Sequence, residues 1–264
     1  MGPLALEAVG VKKGYVRDGR RMDVLDIQRL AVREGEFVTV VGPSGCGKST
    51  FLHIVGGFIK AEAGRIRVYG REVSGPGPDR GMVFQEFALF PWRTVAGNVA
   101  WGLEVQGVPK PEREATVARY LELMNLDEFR HHLPGELSGG MKQRVALARV
   151  LAFDPKVLLM DEPFGALDAQ TREAMQEELT RLWERTGKTI VFVTHDIEEA
   201  VYLGDRVVVL TARPARVREE VPIDLPRPRD LAARKSIRCL EYRNYVRDLI
   251  RSEAAVAGSH NPNR

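Results

Sequence analysis

Short runs of consecutive apolar residues recur along the chain and predict strands. They lie at 37–41, 81–84, 157–160, 189–194 and 206–210. Unbroken runs of this kind are typical of strands in a parallel sheet that is covered on both faces. Helical patterns at 170–185 and 197–202 separate the later runs. Strands that alternate with helices predict an α/β fold built on a parallel sheet.

Both ends of the chain and its middle follow other patterns. The first forty residues predict short strands at 6–11, 24–30 and 36–41, broken by Gly14, Gly19 and Gly35, and a further strand alternates between glycines at 64–70. Helical patterns dominate from Glu86 to about Val150, which predicts a helical insertion with helices at 95–105, 117–124 and 141–151. Residues 230–253 predict one or two amphipathic helices, followed by a frayed tail at 254–264.

A glycine-rich segment, Gly42–Thr50, joins the first long apolar run to a helical pattern. It matches G-x-x-x-x-G-K-[ST], a loop whose backbone N–H groups bind phosphate oxygens at a helix N-terminus. An ordinary glycine turn is the alternative, and the flanking strand and helix argue against it. We expect Lys48 to reach the terminal phosphates and the Ser49 hydroxyl to hold Mg²⁺. The predicted nucleotide-binding residues of this loop are Gly42, Pro43, Ser44, Gly45, Cys46, Gly47, Lys48, Ser49 and Thr50.

Polar residues follow three of the predicted strands. In a parallel sheet these positions lie at the carboxyl ends of the strands, where ligands bind. Asp161 is positioned to hold Mg²⁺, and Glu162 beside it to polarise an attacking water. Gln85 is predicted to bridge Mg²⁺ and water, and His195 to contact a γ-phosphate. Alone, the Asp-Glu pair is compatible with a polar turn, an isolated His at a strand end is usually structural, and Gln85 carries little weight. The phosphate loop in the same chain favours the catalytic interpretation.

A second helix N-terminus without bulky side chains occurs at Ser138-Gly139-Gly140, with Ser138 as the predicted N-cap. It predicts a second anion site, although Lys48 and its loop already bind one triphosphate. A two-fold dimer explains both sites, because each glycine helix end then covers the nucleotide held by the partner. A plain helix cap is the alternative.

Composition restricts the class of protein. The chain has 264 residues, a net charge of +3 and two cysteines, Cys46 and Cys239, so no disulfide framework is expected. It contains no apolar stretch long enough for a membrane helix and no signal-peptide pattern, which predicts a cytoplasmic location. This net charge is too small to argue for nucleic-acid binding by the whole chain, and no nucleic-acid partner is expected. Residues 213–251 are more basic, with eleven Arg or Lys against six Asp or Glu, a pattern typical of a solvated face or of a surface that meets anions.

The order of these motifs resembles the ATP-binding subunit of an ABC transporter over about residues 4–230. The resemblance rests on the phosphate loop, on Gln85 as the Q-loop, on Leu137–Met141 as the signature, on Val157–Glu162 as Walker B, on Gly165–Asp168 as the D-loop and on His195 as the switch histidine. Tyr15, just after the first predicted strand, matches the aromatic residue that stacks on adenine. Met141 departs from the family, in which most members have Gln.

Three sequence segments are similar to those of the nitrate, sulfonate and taurine importer branch. The relevant segments are Phe84-Gln85-Glu86, Leu89-Phe90-Pro91-Trp92 and Leu225-Pro226-Arg227-Pro228-Arg229. The resemblance implies a P-loop NTPase (RecA-like) core with an N-terminal antiparallel β-subdomain and an inserted α-helical subdomain at about 86–150. It also implies an ATP-binding domain at 1–230 and a C-terminal helical extension and tail at 231–264.

The resemblance further implies ATP and Mg²⁺ as ligands, a homodimer formed on ATP, and integral membrane permease subunits as partners. A solute-binding protein would act indirectly, and the subunit would sit on the inner face of the cell membrane. The apolar segment 87–92 is expected either to dock a permease helix or to form core of the insertion. The other functions considered are a soluble ABC-type ATPase that acts on DNA or ribosomes, and a nucleotide-dependent switch without turnover, which would lack Glu162.

Overall fold

The structure is a computed structural model that describes residues 2–259, with the backbone alone for residues 231 and 254–259. The chain forms two compact units, one comprising Met1–Gly77 with Gln176–Arg264 and the other Pro78–Met175. The second unit includes more residues than the helical insertion expected at about 86–150, because two strands cluster with the helices.

The elements follow the predicted alternation. Those of the N-terminal part are β1 (Leu4–Arg17), β2 (Arg20–Arg33), β3 (Phe37–Val41), α1 (Lys48–Gly56), β4 (Ala63–Val68) and β5 (Arg71–Glu72). The second unit contains β6 (Arg80–Val83), α2 (Val95–Val105), α3 (Lys110–Leu123), 3-10 turns at Asp127–Phe129 and Pro134–Glu136, α4 (Gly139–Ala152) and β7 (Val157–Asp161). The remaining elements are α5 (Ala169–Thr186), β8 (Thr189–Val193), α6 (Ile197–Leu203), β9 (Arg206–Leu210), β10 (Val217–Pro222), α7 (Leu231–Arg234) and α8 (Ile237–Ser259).

The parallel core of the first unit is centred on β3, which pairs with β8 on one side and β9 on the other. Every residue of β3 and β8 is buried, as their unbroken apolar runs predicted. Because the three strands run parallel, their carboxyl ends meet at one edge of the sheet. The loops that leave this edge are the phosphate loop, the segment that contains His195 and the turn 211–216.

The edge strand β10 is absent from the predicted elements. It pairs antiparallel with β9 and reads Val-Arg-Glu-Glu-Val-Pro, with most of its residues exposed or half-buried. A strand with a neighbour on one side only and a solvated face needs no apolar run. Because charged residues interrupt its apolar residues, a hydrophobicity pattern does not identify β10 as a strand.

The N-terminal strands form an antiparallel sheet in the order β2-β1-β4-β5. The prediction that the first strand ends at Val11 is wrong, because β1 runs on to Arg17. A register shift between Lys13 and Gly14 accommodates the glycine that was expected to end the strand. Asp18 and Gly19 then close the hairpin with positive φ angles of 51° and 72°.

The C-terminal helices pack onto the first unit. Cys239 and Val246 of α8 are fully buried in one apolar cluster with residues of α6, β9 and β10, which confirms the predicted amphipathic helix. The helix α8 continues to Ser259, beyond its predicted end at residue 253, whereas residues 260–264 of the predicted tail lie outside the described residues. No helix in the described part of the chain combines the length and the apolar character needed to cross a bilayer.

A buried arginine in the segment before α7 binds the end of α6. Nη1 of Arg229 donates to the carbonyl oxygens of Val201, Tyr202 and Gly204 at 3.1, 2.8 and 2.7 Å. Burial lowers the pKa of Arg229 to about 10, and the charge of Arg227 acts in the same direction. Val201 and Tyr202 lie in the last turn of α6 and Gly204 is its C-cap residue, where intrahelical donors are lacking, so Arg229 serves as the helix cap.

In the second unit, β6 and β7 form a parallel pair, and the helices α2, α3 and α4 contact one another. Gly81 of β6 lies directly against α4, because a Cβ there would be 2.3 Å from a methyl group of Val150. The α/β fold with a parallel sheet, an N-terminal antiparallel sheet and an inserted helical region is confirmed.

Candidate nucleotide site

The phosphate loop leaves the parallel sheet at the end of β3. Val41, the last residue of that strand, pairs with Val209 of β9. A Cβ on Gly42 would lie 3.0 Å from the carbonyl oxygen of Leu210, so the loop begins in close contact with the end of β9. Helix α1 begins at Lys48, and its first N–H groups have no intrahelical partners. The structure therefore has the predicted order of strand, loop and helix.

Two glycines give this loop a shape that other residues rarely adopt. The φ angles are 69° at Gly45 and 128° at Gly47. A Cβ on Gly47 would lie 2.9 Å from the side chains of Val24 and Leu25, both buried in β2. The loop backbone thus packs directly on β2, while Ser44 and Gly45 at its tip are exposed.

The amine of Lys48 is folded into the loop. The side chain is 6% exposed, and Nζ donates to the carbonyl oxygens of Gly42 at 3.0 Å and Pro43 at 3.3 Å. Ser49 and Thr50 follow in the first turn of α1 and are half-buried. A cation beside the N–H groups of a helix N-terminus suits a multiply charged anion such as a triphosphate.

Cys46 lies inside the same loop and is 2% exposed. Its N–H donates to the carbonyl oxygen of Pro43 at 3.2 Å. Burial raises the pKa of the Cys46 thiol, and the nearby positive charge of Lys48 offsets part of that effect. The thiol is therefore mostly protonated at neutral pH, which makes it a slow nucleophile.

Tyr15 lies within β1 and not after it as predicted. Its cross-strand partner is Met22 of β2, and the two side chains are 39% and 37% exposed. The ammonium group of Lys13 lies 5.2 Å from the centre of the tyrosine ring. Directly opposed residues share one face of a sheet, so Tyr15 and Met22 together offer an apolar surface on which a base can stack.

His195 is exposed at the edge of the sheet where the phosphate loop also starts. Residues on both sides of it hold the backbone. The Thr194 hydroxyl accepts from the N–H of Asp196 at 3.0 Å, and the Asp196 carboxylate accepts from the first N–H groups of α6 at 2.8 and 3.2 Å. The histidine thus follows a buried strand and precedes a well-capped helix. These two neighbours restrict the conformations available to its backbone.

The second unit carries the two predicted carboxylates. Asp161 is the last residue of β7 and is 5% exposed. Glu162 follows with a φ of 43°, unusual for a residue other than glycine, and its carbonyl oxygen accepts from the N–H of Gly165 at 3.0 Å. Backbone strain of this kind costs about 1–3 kcal/mol and is concentrated at functional sites.

Gln85 is exposed and lies two residues beyond β6, which ends at Val83 and not at residue 84. It lies near the Glu162 segment, since a Cβ on Gly165 would be 3.9 Å from Cβ of Glu162 and 4.0 Å from Nε2 of Gln85. The structure thus brings Gln85 and Glu162 to the same glycine within the second unit.

Ser138 is the N-cap of α4, as predicted. Its hydroxyl accepts from the N–H of Met141 at 3.3 Å. Ser138 and Gly139 are exposed, which leaves this helix N-terminus open to an anion. A Cβ on Gly140 would lie 2.7 Å from the methyl group of Thr171, so the glycine lets the helix end pack closely against the start of α5.

Asn98, a residue that the sequence analysis missed, organises the segment before α2. Its side-chain oxygen accepts from the N–H of Phe90 at 2.8 Å. Its amide nitrogen donates to the carbonyl oxygens of Phe90, Arg93 and Thr94 at 3.2, 3.0 and 3.0 Å. A lone Asn in an apolar helical pattern was the available signal, because a fully buried amide needs partners.

Arg149 was missed as well. It donates to the carbonyl oxygens of Phe87 at 3.2 Å and Ala88 at 2.6 Å. In the segment bound by Arg149 and Asn98, Leu89 is half-buried, whereas Trp92 is 74% exposed. Of the two roles left open for this segment, the structure excludes the core role for Trp92.

The predicted residues are thus divided between the units. The first unit holds Tyr15, the phosphate loop and His195, and the second holds Gln85, Asp161, Glu162 and the Ser138 helix end. Within the described residues, no group of three His, Cys, Asp or Glu side chains could bind a metal ion alone. The donors predicted for Mg²⁺ are hydroxyl, amide and carboxylate oxygens, a set that suits this ion when phosphate oxygens complete the shell.

Comparison with known proteins agrees with these motifs. A family model described as ABC transporter matches residues 25–165. An uncharacterized ABC transporter ATP-binding protein of Methanocaldococcus jannaschii is 51% identical over 248 residues, which are 94% of this chain and 92% of that protein.

Two relatives have names that state a solute. The nitrate import ATP-binding protein of Synechocystis is 50% identical over 84% of this chain and 83% of its own length. The taurine import ATP-binding protein of Rhizobium johnstonii is 50% identical over 80% of each chain. Among solved structures, a dimeric ATP-binding cassette in a post-hydrolysis state bound to ADP and Pi has a TM-score of 0.74 and 35% identity, covering 83% of this chain and 98% of that one.

Proposed function

The chain belongs to the ABC transporter family, and from this premise we propose that it is the ATP-hydrolysing subunit that powers solute import by an ABC transporter complex. The observation that carries the proposal is the phosphate loop, in which the Lys48 amine is 6% exposed and bound to two loop carbonyls beside the open N-terminus of α1. In this role the loop N–H groups and Lys48 bind the phosphates, and Tyr15 stacks on adenine.

The proposed chemistry is attack of water on the γ-phosphate. Glu162 accepts the proton of the water, Gln85 orients that water, and His195 donates to the γ-phosphate. Ser49, Gln85 and Asp161 are the proposed holders of Mg²⁺, which would neutralise phosphate charge. The strained backbone at Glu162, with a φ of 43°, supports a functional role for this carboxylate.

The active form is proposed to be a homodimer. Ser138 and Gly139 at the N-terminus of α4 are exposed, and the first N–H groups of a helix lack intrahelical acceptors. In a two-fold dimer this helix end would contact the nucleotide bound by the second copy. The dimeric cassette with 35% identity supports this arrangement.

The proposed partners are integral membrane permease subunits, and a solute-binding protein acts indirectly through them. The complex would place this subunit on the inner face of the cell membrane. Relatives named for nitrate and taurine import, each 50% identical, support the nitrate, sulfonate and taurine importer branch. Exposed Trp92 lies between Phe90 and Arg93, both bound by Asn98, and is the proposed contact with a permease helix.

The decisive experiment compares Glu162→Gln with the parent chain in ATP hydrolysis and in size-exclusion chromatography with ATP. The variant keeps the size and shape of the side chain, but its neutral amide cannot accept a proton from water as a carboxylate does. It should bind ATP, hydrolyse it at least roughly a hundredfold more slowly, and accumulate as a dimer. Normal turnover in this variant would remove Glu162 from the base role, and an inactive parent chain would contradict the proposed ATPase.

The permease contact has its own test in a complex reconstituted with its permease. Trp92→Ala should reduce transport, whereas Val105→Ala, at another exposed apolar residue of the same unit, should not. Unchanged transport in the Trp92 variant would refute this docking surface.

A further inference from the structure

A guanidinium group outside the phosphate-binding motif lies against the phosphate loop. Arg213 belongs to the turn between β9 and β10, and its Nε donates to the carbonyl oxygen of Gly45. Its Nη1 lies 2.8 Å from Sδ of Met22, the cross-strand partner of Tyr15. One side chain thus contacts both the phosphate loop and the strand pair that carries the proposed adenine-stacking ring.

Backbone hydrogen bonds hold the turn that carries Arg213. The N–H of Ala215 donates to the carbonyl oxygen of Val24 at 2.8 Å, and the N–H of Asp26 donates to the carbonyl oxygen of Ala215 at 2.9 Å. Within the turn, the Thr211 hydroxyl accepts from the N–H of Arg216 at 3.0 Å. The backbone of this turn is therefore attached to β2, and the Arg213 side chain extends from the turn to the phosphate loop.

The peptide that follows Gly45 is the part of the loop on which Arg213 acts. The carbonyl oxygen of Gly45 and the N–H of Cys46 belong to one planar unit and point in opposite directions. Arg213 holds the oxygen, and the carbonyl oxygen of Pro43 accepts from the N–H at 3.2 Å. Since Gly45 lacks a Cβ and has a φ of 69°, its own backbone restricts this peptide less than another residue would, and the two contacts restrict it further.

We propose that Arg213 is a positioning residue of the nucleotide site, which holds the Gly45 peptide in the orientation required by the phosphate loop and links that loop to the Met22–Tyr15 strand pair. The inference rests on the proposed function as an ATPase. A loop ordered before binding loses less conformational entropy when phosphate enters, so Arg213 strengthens nucleotide binding. The effect is equal for bound ATP and for the transition state, and it should appear in KM and not in kcat.

The test compares Arg213→Ala with Arg216→Ala in the full chain. Arg216 is a matched control, because it is an exposed arginine of the same turn that pairs with Asp26 at 2.9 Å. The measurements are the KM and kcat of ATP hydrolysis, the Kd values of ATP and ADP by calorimetry, and the melting temperature without nucleotide. Arg213→Ala should raise KM and both Kd values roughly three- to tenfold, with kcat within about twofold of the parent.

The control variant should match the parent in every kinetic and binding measurement, and the two variants should melt at the same temperature without nucleotide. Unchanged Kd values in Arg213→Ala, or an equal rise in Arg216→Ala, would overturn the proposal. A loss of ATP affinity without loss of ADP affinity would also overturn it, since that result indicates direct contact with the γ-phosphate. If the parent chain binds ADP but does not hydrolyse ATP, the proposed function fails while the ADP comparison still tests Arg213.

Discussion

Replacing Gly47 by alanine tests how rigidly the phosphate loop is held against β2. Gly47 has φ 128° and ψ 12°, a conformation that costs an L-residue about 1–3 kcal/mol. The added Cβ would also lie 2.9 Å from side-chain atoms of Val24 and Leu25, which are only 5% and 2% exposed and so cannot move into solvent. Overpacking of this kind costs a further 1–3 kcal/mol or so. We therefore expect Gly47→Ala to lower the free energy of unfolding by about 2–6 kcal/mol.

Equilibrium unfolding in urea without nucleotide measures this loss, and Gly45→Ala is the matched control. Gly45 also has a positive φ, 69°, but a Cβ there would meet only the end of the exposed Arg213 side chain, at 2.7 Å. That side chain can move, so the control should lose only about 1–2 kcal/mol. Equal losses in the two variants, or a loss below about 1 kcal/mol in Gly47→Ala, would show that β2 yields and would refute the steric argument.

Three further predictions concern other parts of the molecule. Ser138→Arg adds bulk and charge at the exposed end of α4 and should abolish the ATP-induced dimer in size-exclusion chromatography, so an unimpaired dimer would contradict the shared site. In a Cys239→Ala background, alkylation of Cys46 should keep accelerating above pH 9, because burial raises the pKa of this thiol, and bound ATP should slow the reaction; a plateau at or below pH 9 would contradict the burial effect. Arg229→Met leaves three carbonyls at the C-terminal end of α6 without their donor and should cost about 3–5 kcal/mol in urea unfolding. By contrast, Arg238→Met at an exposed ion pair should cost at most about 1 kcal/mol, and equal losses would remove the capping role.

Cys46 also links stability to pH in a defined direction. Its folded-state pKa is raised above the unfolded value, so the buried thiol contributes stability that is fully present below pH 9, the ordinary value for this thiol. That contribution decreases as pH rises through the higher folded-state pKa. The same burial explains why an alkylating reagent needs high pH to reach a reactive thiolate.

Local chemistry explains why most of the fold was predictable. The strands β3, β7 and β8 are buried on both faces, so each is an unbroken apolar run. Ser138 is a good N-cap wherever a helix follows, and the structure places it there with its hydroxyl bound to Met141. The phosphate loop was recognisable for the same reason, since its glycines and its lysine are neighbours in sequence.

The errors arose where a distant neighbour changes what a residue can do. Gly14 was expected to end a strand, but pairing with β2 and a register shift carry β1 through it, so Tyr15 lies within the strand. The strand β10 is held by β9 and not by an apolar pattern of its own. Asn98 resembled a polar interruption of a helix, whereas it holds the segment that presents Trp92.

The sequence by itself determined the family and the candidate site residues, because the phosphate loop and the other motifs are read from residues that are adjacent along the chain. The division of those residues between two compact units, the burial of Lys48 and Cys46 and the exposure of Trp92 were decided only by the tertiary structure. The contact of Arg213 with Gly45 belongs to the same class, since 168 positions separate the two residues in sequence. Such contacts depend on which strands become neighbours in the sheet, and pairing between distant segments leaves no mark in a local pattern.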